Sequence, residues 1–328
     1  MESTPSRRSV LRLAAGAALG APLLATTATL PAAAAQKKGT VVQPGNGLPL
    51  VDTHQHLWDL GLFKLPWLAD VAKLNRNFVT KDYLEATTGL NLVKTVYMEV
   101  DVSPELQDKE AEYVIDLCMR DDNPTAAAVI SGRPASAGFR DYIRKYRSSK
   151  YIKGVRQVLH GGSTPRGFCH QPEFLRSMQY LGDLGMSYDL CMRGGEVGDA
   201  VKVLDACPGT RFILDHCGNP GVQAPAAGWK ESISRVAARP NIICKISGIV
   251  ASANPTRWSA ADLAPFVNHC LDEFGPDRVI FGGDWPVCLL AASFRQWVHA
   301  LREIVATRPE AEQRKLFAEN AIRFYGLG

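Results

Sequence analysis

From residue 50 onward, short apolar runs alternate with stretches in which apolar residues recur every three or four positions. The runs at 50–54, 94–100, 126–131, 152–159, 187–192, 211–215, 242–247 and 278–282 read as strands, because they are short and bounded by turn-forming residues. The segments at 105–119, 139–146, 173–184, 197–206, 229–238 and 261–274 carry the helical period between them. Repeated β–α units predict parallel pairing through right-handed crossovers. Eight such strands predict a single α/β domain over 50–328, closed as a (β/α)8 TIM barrel, a fold that typically takes about 250 residues. The alternative, an open doubly wound sheet, would carry a glycine-rich phosphate turn after an early strand, and none is present.

In such a barrel the reactive groups sit where strands end. Polar residues cluster at those points: Asp52, His54 and His56, then Glu99 and Asp101, Arg156, Asp189, Asp215 and His216, Lys245, and Asp284. Side chains alternate along a strand, so Asp52, His54 and His56 are expected on one side, with the two imidazoles about 7 Å apart. That spacing suits a shared metal ion or a substrate oxygen.

The first 35 residues follow a different pattern. Arg7 and Arg8 precede a stretch without charge from Leu13 to Ala35, ending in four alanines. This resembles a cleavable twin-arginine export signal, so the expected destination is periplasmic or extracellular, with the export machinery as a partner. Pro22, Pro31 and the scarcity of leucine argue against a stable membrane anchor. Residues 36–49, rich in Gly and Pro, read as a linker.

The formal charge of +4 belongs to that leader, since residues 1–38 hold five basic residues and one acid. The other 32 basic and 32 acidic residues balance, which excludes an electrostatic footprint for nucleic acid. A small-molecule substrate is the expected partner, and the sequence leaves a homo-oligomer open. Cys118, Cys169, Cys191, Cys207, Cys217, Cys244, Cys270 and Cys288 show no C-x-x-C spacing and read as structural thiols.

Taken in order, Val51-Asp52-Thr53-His54-Gln55-His56-Leu57-Trp58-Asp59, Ile152-Lys153-Gly154-Val155-Arg156-Gln157, Ile213-Leu214-Asp215-His216-Cys217-Gly218-Asn219-Pro220, Cys244-Lys245-Ile246-Ser247-Gly248 and Phe281-Gly282-Gly283-Asp284-Trp285-Pro286 resemble the motifs of the amidohydrolase-related (amidohydrolase 2) family, and of its sugar-lactone and muconolactone-type branch. The resemblance spans roughly residues 50–327. It implies a hydrolase that opens the cyclic ester of a small polyhydroxy or carboxylic acid. Many relatives supply a metal-binding histidine from the fifth strand; here that strand reads Ser187-Tyr188-Asp189-Leu190-Cys191-Met192. The resemblance therefore leaves two versions open, one divalent ion (zinc or manganese) or metal-free operation. A non-oxidative decarboxylase or C–C hydrolase is the alternative within the superfamily. An exported, non-catalytic binder of carbohydrate acids is the alternative from another class.

Ester hydrolysis needs an activated water and a place for the developing oxyanion. Asp284 is the expected base, placed after Gly282-Gly283, which would let the chain turn tightly and a ligand approach. His216 would polarise the carbonyl or the water. His54 and His56, with Asp284, would hold the metal. Arg156, Asp189, Glu99, Lys245, Trp58 and Trp285 are candidates for substrate contact. Arg156 could instead pair with Asp189 or Glu99, Lys245 could serve as a structural ion-pair partner, and the two tryptophans could belong to the core. His160, His170, His269 and His299 fall outside the motifs and are not expected as ligands.

Overall fold

The computed structural model describes residues 47–162 and 164–328. The leader at 1–35 and most of the linker lie outside the described residues. Among the described residues, no helix is long and apolar enough to cross a membrane.

Eight parallel strands pair in sequence order: β1 Leu50–Gln55, β2 Leu92–Met98, β3 Thr125–Ser131, β4 Ile152–Val158, β5 Ser187–Cys191, β6 Arg211–Leu214, β7 Ile242–Ile246 and β8 Val279–Phe281. A helix follows each strand: α1 Thr80–Thr87, α2 Gln107–Met119, α3 Phe139–Tyr146, α4 Pro172–Asp183, α5 Ala200–Ala206, α6 Trp229–Ala237, α7 Ala260–Phe274 and α8 Phe294–Ile304. α8 shows why these segments are helical. Phe294, Trp297, Val298 and Leu301 form one buried stripe. The Ser293 hydroxyl accepts the Gln296 N–H, and the Gln296 side chain accepts the Ser293 N–H, so the first turn is capped both ways.

The strands are buried on both faces, as parallel barrel strands must be. Val51, Val96, Met98, Ala127, Val129 and Ile280 fill the interior, closed at one end by Ala318, by Ala321 and Tyr325 of the C-terminal helix (α10, Asn320–Tyr325; α9 is Glu310–Arg314) and by Leu327. Asn320 fixes that plug by donating to the carbonyls of Pro276 and Val279. A larger apolar layer lies between strands and helices.

The ring closes where the last strand meets the first. The Thr53 hydroxyl donates to the Phe281 carbonyl at 2.6 Å, the His56 N–H to the Trp285 carbonyl at 2.8 Å, and the Gly283 N–H to the Asp52 carboxylate at 2.7 Å. A Cβ on Gly283 would fall 2.2 Å from the Phe294 ring and 2.7 Å from Asp52. The glycine is required by this close packing rather than by the approach of a ligand.

Candidate active site

The strand ends converge on a cavity of about 460 Å³, within the range of small-molecule sites. His56, Arg156, His216 and Asp284 line its floor. Val100, Val158, Ile249, Ala251 and Val287 give it apolar walls, and Trp67, Asp101 and His160 stand at its margin.

Hydrogen-bond chemistry fixes the roles of the imidazoles. The Nδ1 of His56 lies 3.0 Å from the Met98 carbonyl, which can only accept, so Nδ1 carries the proton. Its Nε2 then faces Asp284 Oδ1 at 3.4 Å. Arg156 can only donate, and its Nη1 lies 3.1 Å from His54 Nε2. The proton of His54 is thereby assigned to Nδ1, directed at Asp215 Oδ1 3.5 Å away, while its Nε2 is 3.6 Å from Asp284. His216 Nδ1 shares a 2.9 Å hydrogen bond with the Ser247 hydroxyl. Burial lowers His54 well below the usual histidine range, even with Asp215 beside it. Burial also lowers His216, against the pull of Asp284 and Asp215. Both are therefore neutral at neutral pH.

A tight ionic frame lies beneath. Arg156 Nε pairs with Glu99 at 2.6 Å, and its Nη1 reaches Asp215 at 3.4 Å. Burial opposes the guanidinium charge, but Glu99 and Asp215 together hold Arg156 well above its ordinary value. Lys245 Nζ sits 2.6 Å from Asp189 and 3.1 Å from Asp215. Burial and the neighbouring Asp215 push Asp189 up to about 7 despite Lys245. Burial works the same way on Asp215, yet Lys245 and His54 outweigh it and hold Asp215 low. Asp215 is thus the firmly ionised partner of the lysine.

The residues present fit a divalent cation. Ligand atoms of His54, His216 and Asp284 lie within 4.8 Å of one another, and the Nε2 of His56 lies 3.4 Å from the same carboxylate. Nitrogen and carboxylate donors of this kind suit zinc or manganese. Four buried carboxylates (Glu99, Asp189, Asp215, Asp284) meet only two permanent cations, Arg156 and Lys245, so added positive charge is favoured there.

Several sequence expectations change at this point. Asp52 does not join His54 and His56. The pairing register of β1 shifts between Asp52 and Gln55, and the carboxylate turns toward the helices, where it accepts from Gly283, His54 and the Tyr83 hydroxyl. Trp58 and Trp285 are fully buried outside the cavity lining: Trp58 packs edge-on against Trp67 and Phe78, Trp285 against Phe78 and Tyr83. Glu99, Asp189 and Lys245 are fully buried and hold the ion-pair frame rather than lining the cavity. Two further lining residues stand outside the expected contacts, His160 being set aside only as a ligand. His160 follows β4, just past a motif that ended at Gln157, and Trp67 belongs to the long β1–α1 connection, anchored by its indole N–H to the Val100 carbonyl at 2.9 Å. An aromatic residue in a loop on the strand-end side was the available signal for Trp67.

Backbone geometry aims the reactive groups. His216, Cys217, Gly218 and Asn219 all have positive φ, as does Asp284 at 53°. Opposite them, Gly248 at φ 65° leaves room for the His216 ring: a Cβ there would lie 2.2 Å from Nδ1. Gly248→Ala is expected to displace the imidazole and lower kcat/KM on the order of 100-fold, the cost of roughly ångström misplacement. Steady-state kinetics alongside circular dichroism checks this, and a folded variant with unchanged kcat/KM would contradict it.

Residues 51–327 match the family model described as amidohydrolase. The chain is 27% identical over 290 residues to an L-fucono-1,5-lactonase of Burkholderia multivorans, covering 84% of this chain and 96% of the relative. It is 22% identical over 333 residues to an L-rhamnono-gamma-lactonase of Scheffersomyces stipitis, covering 85% and 98%. Among solved structures it is similar to an amidohydrolase from Burkholderia multivorans with bound zinc, with a TM-score of 0.76 and 25% identity, over 85% of this chain and all of that one.

Proposed function

The chain belongs to the amidohydrolase family of hydrolytic enzymes, and on that premise we propose that it opens the lactone of a small polyhydroxy or carboxylic acid with water activated at Asp284. The observation that carries this reading is the meeting of the Asp284 carboxylate with the Nε2 atoms of His56 at 3.4 Å and His54 at 3.6 Å on the floor of a cavity. Relatives named for sugar lactones point the same way.

Water adds to the lactone carbonyl carbon as Asp284 takes one of its protons. Negative charge then builds on the carbonyl oxygen, beside Arg156 and His216 on the cavity floor. The ring C–O bond breaks, and the leaving oxygen departs with the proton held on Asp284. The product is the open-chain hydroxy acid, which releases a proton to solution. His54, His56, His216 and Asp284 are the residues that would hold a divalent ion. Such an ion, when bound, lowers the pKa of a bound water toward about 7 and polarises a carbonyl.

A panel of sugar lactones, read by proton release and accompanied by metal analysis of the same sample, tests the proposal. Turnover of at least one sugar lactone is expected. No proton release from any lactone, with carbon dioxide release from an aromatic acid instead, would overturn it. Trp67 is half-buried at the cavity margin and is proposed to cover the substrate. Trp67→Ala is expected to raise KM about tenfold with little change in kcat, the signature of lost uniform binding. A fall in kcat at constant KM would assign it a different role.

Export is proposed from Arg7-Arg8 and the apolar stretch behind them. Cell fractionation with N-terminal sequencing tests it, and a cytoplasmic protein that keeps Met1 would refute it.

A further inference from the structure

Behind the floor of the cavity lies a cluster that the hydrolytic reading does not use. Cys217 comes from the turn after β6, Cys244 from β7 and Cys270 from α7. All three are free and fully buried, and their sulfur atoms lie within 4.8 Å of one another. Cys217 is the hub: its carbonyl oxygen lies 4.0 Å from the Cys270 sulfur. The same carbonyl is held by the Trp229 indole N–H at 2.9 Å. The left-handed run His216–Asn219 that aims the His216 ring also carries Cys217.

The donor set defines the ligand chemistry. A structural zinc site is tetrahedral and takes four ligands, whereas here, among the described residues, three sulfurs converge without a fourth. Soft thiolates select soft cations. We propose that Cys217, Cys244 and Cys270 form a three-sulfur site for a soft d¹⁰ cation of the Cu(I) type, separate from the His/Asp cluster on the cavity floor. Binding forms metal–sulfur bonds as thiol protons leave to solvent, and no electron is transferred. His216 and Gly248 line the cavity, so one layer of residues separates the cluster from it. Cys217 follows His216 directly in the chain, and the His216 imidazole bonds the Ser247 hydroxyl at 2.9 Å.

The test is an anaerobic titration of the reduced, folded chain with Cu(I) in competition with a chromophoric Cu(I) chelator. One equivalent per chain is expected, with a near-ultraviolet thiolate-to-copper absorption. Cys270→Ala removes a ligand while nearly conserving volume, and should weaken uptake about a hundredfold or more, at least the loss seen when a metal site's outer support is removed. Cys217→Ser should do the same, and Cys207→Ser, outside the cluster, should bind as the parent does. Circular dichroism establishes that each variant is folded. No uptake by the parent chain overturns the proposal. So does uptake that survives in folded Cys270→Ala, or that is lost in Asp284→Asn while the cysteines are intact.

Discussion

Asp284→Asn is expected to reduce lactone turnover about a thousandfold, within the 10²–10⁴ that a general base contributes, while leaving affinity for the ring-opened acid within a few-fold of the parent. The substitution keeps size and hydrogen-bonding reach but removes the lone pair that takes the proton from water. It also removes the negative charge facing His54 and His56. Local packing should hold, because the backbone at 284 is left-handed, a conformation asparagine adopts as readily as aspartate. Stopped-flow proton release measures the turnover and calorimetry with the product acid measures the affinity. Turnover that survives at more than a tenth of the parent rate would remove Asp284 from the role of base.

The second large effect is on stability. Lys245→Met should cost about 3–5 kcal/mol, the usual result of removing one partner from a buried ion pair. With roughly 2–4 °C lost per kcal/mol in a domain of this size class, the melting temperature should fall by roughly 10 °C. Methionine fills the volume, so the loss comes from Asp189 and Asp215, which would keep their burial without the ammonium at 2.6 and 3.1 Å. The pH dependence carries the sign. Asp189 is already raised to about 7 by burial, and losing Lys245, which lowers it, sends it higher. A carboxyl raised above its unfolded value gains stability as it takes up a proton, and loses it as the pH rises through the folded value. The deficit should therefore shrink as the pH falls from 8 to 6. Calorimetric scans across that window check it, and a deficit of constant size would mean that the carboxylates are not the cause. Adding Asp189→Leu to Lys245→Met should restore part of the loss.

The strands were legible because each is short, apolar and followed by a helical period, and the barrel follows from their number and alternation. Asp284, His54, His56, His216 and Arg156 were legible because the fold places strand ends together. Asp52 was misplaced because alternation assumes an unbroken ladder, while β1 shifts register just where the site begins. For Trp58 and Trp285 the sequence leaves substrate contact and core packing both open, because proximity in sequence to a reactive residue says nothing about which side of the sheet a ring faces. Trp285 packs against Tyr83 of α1, and Trp58 against Trp67 and Phe78 of the connection before it. Trp67 belongs to the long connection after β1, whose path depends on contacts made across the structure, such as the Val100 carbonyl. Lys245 in an apolar run signalled an anion nearby, but which one depends on how β5, β6 and β7 line up in the barrel. The proximity of three cysteines from three separate elements has no signature in their spacing along the chain.

The bonds that join the last strand to the first carry a further meaning. Asp52, His54 and His56 belong to the earliest segment of the barrel, and Gly283, Asp284 and Trp285 to nearly the latest. A nascent polypeptide released before residue 284 would possess the imidazoles without the carboxylate that faces them, and an unsealed cylinder besides. The cavity floor and the seam of the barrel therefore both wait on the same late stretch of chain.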